Sequence, residues 1–283
     1  MTGIARFVMQ GPRQAMILAV LFAALPVMYW LSAAIVALVI LRQGSTQGIN
    51  VLLAALLPGI AWYAAQHELT VIVVILGAAI MASVLRLSVS LPKALISSLV
   101  TGAATVILLP IISEEWYAML KQGSQIYLEA FKEQMPESAA QIEPWILPSL
   151  LGAVSALMQL FAMGSLLLAR FWQAKLYNPG GFAEEFHELR FPVWFAALAI
   201  GVSLIGTSSV NFVSWLPVVL VPFFLAGISL IHSVVKKKQM SSQWLFMFYV
   251  GLVFFLPYMY ALLILVALID CLVDIRSRLK DTA

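Results

Sequence analysis

The stretch Ala169-Arg-Phe-Trp-Gln-Ala-Lys-Leu-Tyr-Asn-Pro-Gly-Gly-Phe-Ala-Glu-Glu-Phe-His-Glu-Leu-Arg-Phe-Pro192 is one of two long polar interruptions in an otherwise apolar chain. It carries the cations Arg170, Lys175 and Arg190, whereas the other interruption, Glu114 to Glu143, is mostly acidic. Basic loops of this length stay on the cytoplasmic side of a bilayer. This loop therefore sets the direction in which the neighbouring helices run.

The composition is that of an integral membrane protein. Of the 283 residues, 63% are hydrophobic and 10% are charged, whereas a soluble domain averages about 25% charged residues. The apolar runs are long and continuous, so the sequence predicts an all-α, polytopic transmembrane bundle forming a single domain over residues 1–283. The lone Cys271 excludes a disulfide framework within the chain and a cysteine-based metal site. We expect contact with the lipid bilayer and none with nucleic acid.

Pro26 interrupts the first apolar run, Ala15 to Leu41, which is either one kinked helix or two short ones. A turn at Pro26 places most cations on one side, whereas a single helix would reverse nearly all of them. The cations placed inside are Arg6, Arg13, Arg42, Arg86, Lys93, Arg170, Lys175, Arg190 and Lys236 to Lys238, and those outside are Lys121 and Lys132. The sequence therefore predicts two helices, with the N-terminus in the cytoplasm of a bacterial cell and the chain in its inner membrane.

Pro257 raises the same question in the last apolar run, Gln243 to Ile269. A turn at Pro257 would return Arg276, Arg278 and Lys280 to the cytoplasm, although the fourteen residues before the proline span only about 20 Å. We favour the turn, which makes ten membrane segments. A single kinked last helix would give nine membrane segments. Counting each of the two short hairpins as one segment would give eight.

The acidic interruption, residues 114–143, is predicted to lie outside the cell as an amphipathic segment. Its helical face is formed by apolar side chains, and Pro136 ends the helix. The members of that face are Trp116, Leu120, Tyr127, Ala130 and Phe131. The segment is either a helix at the outer membrane surface or a cover over an outward-facing cavity.

Polar residues at membrane depth are the main functional candidates, because burying them in hydrocarbon is costly. We take Trp30, Gln159 and Asn211 as candidate ligand contacts, although Gln159 also suits an interhelical hydrogen bond and Asn211 an ordinary turn. Asp270 is expected to pair with Arg276 or Arg278. The chain lacks the common catalytic motifs, so we expect neither an enzyme nor a cofactor.

The three histidines are not expected to form a metal site. His67, His187 and His232 fall in an outer turn, an inner loop and the inner end of a helix, so we expect the three not to meet at a metal.

Small residues recur every four positions in the first helix, at Ala15, Ala19 and Ala23. Such a face permits close approach of another helix, either from a partner or from this chain.

The inner loop, residues 170–191, is predicted to hold a tight turn followed by a short amphipathic helix. Proline and glycine in Asn178-Pro-Gly-Gly181 favour the turn, and Phe182, Phe186 and Leu189 share one helical face. We predict that the loop contacts a partner. Its interaction residues are Arg170, Trp172, Asn178, Gly180, Gly181, Phe182, Glu185 and Phe186.

A family resemblance is carried mainly by this loop. The matching residues are Arg170-Phe-Trp-Gln-Ala174, Asn178-Pro-Gly-Gly-Phe182, Glu185-Phe186, the helix start at Pro192, and Asp270 with Arg276. They resemble the YybS-like family of uncharacterised bacterial membrane proteins, and the match runs through nearly the whole chain. The N-terminal half is also similar to the S components of energy-coupling-factor transporters, through the alanine ladder, Pro26, and Gly44 with Gly48.

The S-component resemblance implies a function and a partner. It implies that a small molecule binds near the outer face and that the alanines contact a membrane coupling subunit. The chain departs from that family by having more helices and a large inner loop. The alternative is a non-transporting scaffold that docks a cytoplasmic partner through residues 170–191, and a lipid-acting flippase or enzyme is less favoured because few charges are buried. An internal polar cavity would favour binding, whereas a solid bundle with an ordered inner loop would favour docking.

Overall fold

The computed structural model describes residues 2–278, and within them every regular element is an α-helix. In chain order the helices are α1 Thr2–Val8, α2 Pro12–Ala24, α3 Tyr29–Gln43, α4 Ser45–Gln66, α5 Thr70–Ser88, α6 Leu91–Ile96, α7 Leu99–Ile112, α8 Glu114–Gln134, α9 Pro136–Tyr177, α10 Gly181–His187, α11 Val193–Ser208, α12 Trp215–Lys237, α13 Ser242–Phe254, α14 Leu256–Val273 and α15 Ile275–Arg278.

Ten apolar segments make up the bundle. Six are long and apolar enough to cross a membrane, namely α4, α5, α6 with α7 as Leu91–Ile112, α9, α12 and α14. Four are shorter, namely α2, α3, α11 and α13. The predicted all-α polytopic membrane bundle is therefore confirmed for the described residues, which form ten apolar segments of which six are long enough to span a membrane.

The first hairpin folds as two helices, as predicted. α2 ends at Ala24 and α3 begins at Tyr29, with Val27 at φ 64° in the turn between them. The Ser32 hydroxyl donates to the Ala19 carbonyl at 2.8 Å, which ties the two helices together near the turn. α3 then runs through the centre of the bundle, with residues 32–41 all buried. Its neighbours are α2, α4, α5 and α9.

The last hairpin also turns rather than kinks. α13 and α14 are separated by Phe255 alone, and Tyr249 of α13 lies 2.8 Å from His232 near the end of α12. At the far end of α14, Lys237 Nζ donates to the Arg276 carbonyl at 2.9 Å. The chain therefore returns to the end of the bundle that holds Lys237. Lys280, which was expected at the same end, lies outside the described residues.

The two ends of the bundle differ in charge. At one, which we call the basic end, Arg42 lies over the Tyr177 ring and Arg86 reaches the end of α3. The other we call the acidic end. There Tyr63 donates to the Ile112 carbonyl at 2.6 Å, and α8 begins with Glu114 and Glu115.

α9 is longer than the sequence suggests. Its 42 residues extend about 63 Å, about twice the hydrocarbon thickness. The helix starts at Pro136, within the segment 114–143, and continues to Tyr177, within the inner loop 170–191. The polar interruptions are thus partly the two projecting ends of one helix.

The buried face of α8 differs from the prediction. Trp116, Leu120 and Phe131 are partly buried as expected, but Tyr127 and Ala130 are exposed. Ser124 and Leu128 are buried instead. Leu128 packs with Ala139 and Ile146 of α9. The buried face runs through Trp116, Leu120, Ser124 and Leu128, at a spacing of four residues. The prediction was therefore wrong by one residue in the second half of the helix, where it placed Tyr127 on this face instead of Leu128.

Candidate functional site at the basic end

The most elaborate polar structure lies at the basic end, around α10. Gly180 adopts φ +97°, a conformation that a residue with a β-carbon rarely takes. A β-carbon on Gly181 would lie 2.4 Å from Asn178 Nδ2, so a larger residue there would require the Asn178 side chain to move. The predicted turn and short helix are therefore confirmed, but the helix ends at His187, so Leu189 lies beyond it and not on its apolar face.

One side of α10 is tied to the end of α9. Arg170 Nε donates to Glu185 Oε2 at 2.9 Å, and Arg170 Nη2 donates to Oε1 at 2.5 Å. The Arg170 side chain is only 12% exposed. Phe182 of α10 packs edge-on against Phe171 and stacks on Phe186. Trp172 is fully buried in the bundle, so it packs α9 rather than forming part of a surface.

The other side of α10 is held by a buried ion pair. Arg276 Nε donates to Asp270 Oδ2 at 2.9 Å, and both residues are buried. Arg276 Nη1 also donates to the His187 carbonyl and, at 3.1 Å, to Ser229 Oγ. The Ser229 hydroxyl donates to the Phe186 carbonyl. The expected pairing of Asp270 with Arg276 is confirmed, and the pair joins α14, α12 and α10.

Two histidines meet beside this pair, which the sequence argument did not expect. The His187 and His232 rings are 6.3 Å apart and nearly parallel, whereas His67 lies at the acidic end, 3.5 Å from Glu115. Burial lowers the pKa of His187, and the positive charges of the neighbouring Lys236, His232 and Arg276 side chains lower it further. The fold therefore disfavours protonation of His187. Nothing in the sequence indicated this pairing, because α10 and α12 are adjacent in space but the two histidines are 45 residues apart in sequence.

A cleft of about 490 Å³ opens beside α10, α12 and α15. Charges of both signs line it. The carboxylates are Glu184, Glu188 and Asp274, and the cations are Arg190, Lys236, Lys237 and Arg276. Arg190 Nη1 lies 2.6 Å from Asp274 Oδ2 in a half-exposed ion pair. We call this the mixed-charge cleft. A ligand here would meet donors and acceptors side by side.

Gln159 lies in a second polar cluster, midway along α9. Its Nε2 donates to Ser98 Oγ at 2.7 Å, at the break between α6 and α7. A β-carbon on Gly102 would lie 2.6 Å from Gln159 Oε1, and one on Gly77 would lie 2.5 Å from Thr101 Oγ1. Neither oxygen has a hydrogen-bond partner among the described residues. This tight packing suits a hydrogen bond between helices.

The three candidate ligand residues do not form one pocket. The Trp30 carbonyl accepts a hydrogen bond from Ser165 at 2.9 Å, and Trp30 borders Phe161 on the side of α9 opposite Gln159. Asn211 is exposed in the turn between α11 and α12. The expected outward pocket near Trp30, Gln159 and Asn211 is therefore not assembled by these residues.

The alanine face is filled by the chain itself. Ala15, Ala19 and Ala23 are buried, and α2 packs against α3 and α4. The opposite face of α2 exposes Ile17 and Leu21.

Several residues of the basic end were not predicted from the sequence to be site residues. Ser229 and Ser233 lie in an apolar helix, and Arg86 and Gln173 could only be paired with distant segments once the fold was known. The only local signal was their polarity near the ends of apolar runs.

The fold and this charged end define a polytopic α-helical membrane protein with a structured polar layer at one end. The family described as "Predicted membrane protein (DUF2232)" matches residues 112–271, which is more than half of the chain. The chain therefore belongs to this family. No curated protein and no solved structure matches it.

Proposed function

We propose that this is a non-transporting, non-enzymatic membrane interaction protein whose docking surface is the α10 platform, defined as residues 178–187 and the mixed-charge cleft. The proposal rests on the fact that α10 is held on both sides. On one side Glu185 forms an ion pair with Arg170, and on the other the His187 carbonyl accepts a hydrogen bond from Arg276. A loop that only connected two helices would not need both. The clamp holds a preformed surface, which lowers the entropy cost of binding.

The partner that fits this surface is a polar protein segment carrying both charges. Glu184 is exposed on α10, and Lys236 lies across the mixed-charge cleft from it. Complementary charges on a partner would govern the association rate and make binding sensitive to salt.

We further propose that the basic end faces the cytoplasm of a bacterial cell and that the chain lies in the inner membrane, with its N-terminus inside. The cation distribution supports this orientation. Arg42, Arg86 and Lys236 to Lys238 share this end, whereas Lys121 and Lys132 lie on α8.

The S-component interpretation receives less support from the geometry. It would use an outward pocket and a free alanine face, yet the pocket residues lie apart and the alanines pack inside the chain. The likeness to YybS-like proteins is compatible with either function, because that family has no established activity.

Transport is the second candidate, and the break between α6 and α7 favours it. Transporters often bind substrates near the membrane midplane at interrupted helices, and Ser98 at this break meets Gln159. Water access separates the two functions. In a Cys271→Ala background, a Thr101→Cys variant should resist a water-soluble thiol reagent in the docking account, whereas reaction would favour transport.

Photocrosslinking tests the docking proposal. A photoreactive amino acid replacing Ala183 on the exposed side of α10 should capture a discrete partner in intact cells. The same substitution of Gly123 on α8, where a side chain meets open space, is the matched control. Lys236→Glu should reduce the Ala183 adduct, whereas Lys93→Gln should not. No adduct at Ala183, or the same adducts at both positions, would contradict the proposal.

A further inference from the structure

A separate cleft opens at the basic end on the opposite side of α10. It has a volume of about 500 Å³ and lies between the ends of α3, α5 and α9. Arginine, amide and apolar side chains line it. These are Leu41, Arg42, Leu85, Arg86, Val89, Arg170, Gln173, Tyr177, Asn178 and Glu185. We call it the arginine cleft.

Its charge is unbalanced. Glu185 is the one carboxylate among the described residues that line the cleft. It is bound by Arg170 through two hydrogen bonds, so these two charges cancel. Arg42 and Arg86 remain, and the cleft carries two positive charges without a carboxylate to offset them.

Both remaining guanidinium groups are held in place by neutral partners. Arg86 Nη1 donates to the Leu41 carbonyl at 2.8 Å and so caps the end of α3. Gly44 gives it room, because a β-carbon there would lie 3.3 Å from Arg86 Nη2. The Arg42 guanidinium carbon lies 4.0 Å from the Tyr177 ring centre, a cation–π contact. Such contacts orient the arginines but leave their charge in place.

The position of the cleft at the ends of apolar helices suits the headgroup level of a bilayer. Arg42 is in the last turn of α3 and Arg86 in the last turn of α5, whereas their preceding turns are apolar. Leu87 and Val89, the apolar residues beside Arg86, are 85% and 86% exposed. Exposed apolar side chains next to arginines suit the boundary between acyl chains and headgroups.

We propose that the arginine cleft binds the phosphate group of an anionic membrane lipid. Arginine presents paired donors that match phosphate oxygens. Val89, which lines the cleft and is exposed, provides the apolar edge for the start of an acyl chain. Basic pockets between membrane helices on the cytoplasmic side are suited to such headgroups. A lipid is favoured over a free phosphate because charge and exposed apolar surface occur together. This proposal does not depend on partner docking at α10.

Lipid binding is measured on the purified full chain in a neutral detergent by native mass spectrometry. Phosphatidylglycerol and phosphatidylcholine are titrated separately, and the unaltered protein should retain the anionic lipid preferentially. The Arg42→Gln/Arg86→Gln double variant should bind phosphatidylglycerol about 25-fold more weakly, at about five-fold for each arginine. Lys93→Gln removes a charge at the same end outside the cleft and should leave the affinity within about two-fold.

Three results would overturn the proposal. One is wild-type phosphatidylglycerol affinity in the double variant, and another is equal retention of the two lipids by the unaltered protein. The third has two parts: excess inorganic phosphate displaces the lipid, and phosphate alone raises the thermal stability of the protein as much as the lipid does. This result would assign the cleft to a soluble anion. If the double variant does not fold, the Arg42→Gln single variant tests the lipid site, because Arg42 is exposed and caps no helix. It should lose about five-fold, and an unchanged affinity would refute the lipid site.

Discussion

The two short hairpins of this bundle have similar sequence signatures but are anchored in different ways. Each is an apolar run divided by a proline, Pro26 in α2–α3 and Pro257 at the start of α14. In the first hairpin, residues 32–41 of α3 are all buried. In α13, whose residues are all described, none is buried. One hairpin is the centre of the bundle and the other lies along its edge.

The difference follows from side-chain size and from polar anchors. Ala15, Ala19 and Ala23 let α2 approach its neighbours closely, so the first hairpin is stabilised by packing. The last hairpin has large exposed side chains such as Phe254 and Tyr258 at its turn. Its helix α14 packs closely on α12, where a β-carbon on Gly227 would lie 2.4 Å from the Leu263 carbonyl oxygen, and it is also fastened at its other end by Asp270 and Arg276. The first hairpin is thus held by packing of both its helices, and the last by packing of one helix together with a buried ion pair.

The largest effect is expected from removing the ion pair of the last hairpin. Asp270→Ala leaves the buried Arg276 charge without its carboxylate and should destabilise the protein by about 3–5 kcal/mol. Asp274→Ala is the matched control, because its pair with Arg190 is half-exposed and screened by solvent, so its loss should change the stability little. Thermal unfolding in detergent, followed by tryptophan fluorescence, measures both. Equal losses in the two variants would show that Asp270 is not an anchor.

A smaller effect is expected from adding bulk to the packed hairpin. Ala19 is fully buried, so Ala19→Leu should cost about 1–3 kcal/mol through overpacking. Ile17→Phe adds bulk to the exposed face of the same helix and should be nearly neutral. The same unfolding assay measures both variants. If Ala19→Leu were neutral and instead abolished capture of a partner, the alanine face would be a docking surface after all.

The smallest effect is expected from pH at the basic end. Because the pKa of His187 is lowered in the fold, the unfolded chain binds a proton more readily. Stability should be full above about pH 6.5, the ordinary histidine value, and should fall as the pH drops through the lowered pKa. Denaturation midpoints between neutral and mildly acidic pH test this, and His187→Gln should flatten the dependence. An increase in stability on acidification would mean that His187 is charged in the fold.

Local features of the sequence were enough to predict the two hairpins and the turn in the inner loop. Pro26 and Pro257 interrupt apolar runs, charges assign their ends, and Asn178-Pro-Gly-Gly181 encodes its turn within four residues. The pairing of Asp270 with Arg276 was also predictable, since only six positions separate them.

Contacts between distant segments were not predictable. His187 meets His232, and Arg86 caps α3, only because helices far apart in sequence pack side by side. The continuity of α9 was hidden because Pro144 and Pro148 resemble helix ends, although both lie inside the helix. In α8, Tyr127 and Leu128 are both apolar, so composition alone could not decide which one faces the bundle.

The orientation of the bundle underlies the proposed docking surface, and cysteine labelling in intact cells tests it most directly. Buried Ser124 is unsuitable, so Gly123→Cys and Ser138→Cys report on the acidic end and Ala183→Cys on the basic end, each with Cys271→Ala. An impermeant thiol reagent should label positions 123 and 138, and position 183 only after the membrane is permeabilised. Labelling of position 183 alone in intact cells would contradict the account.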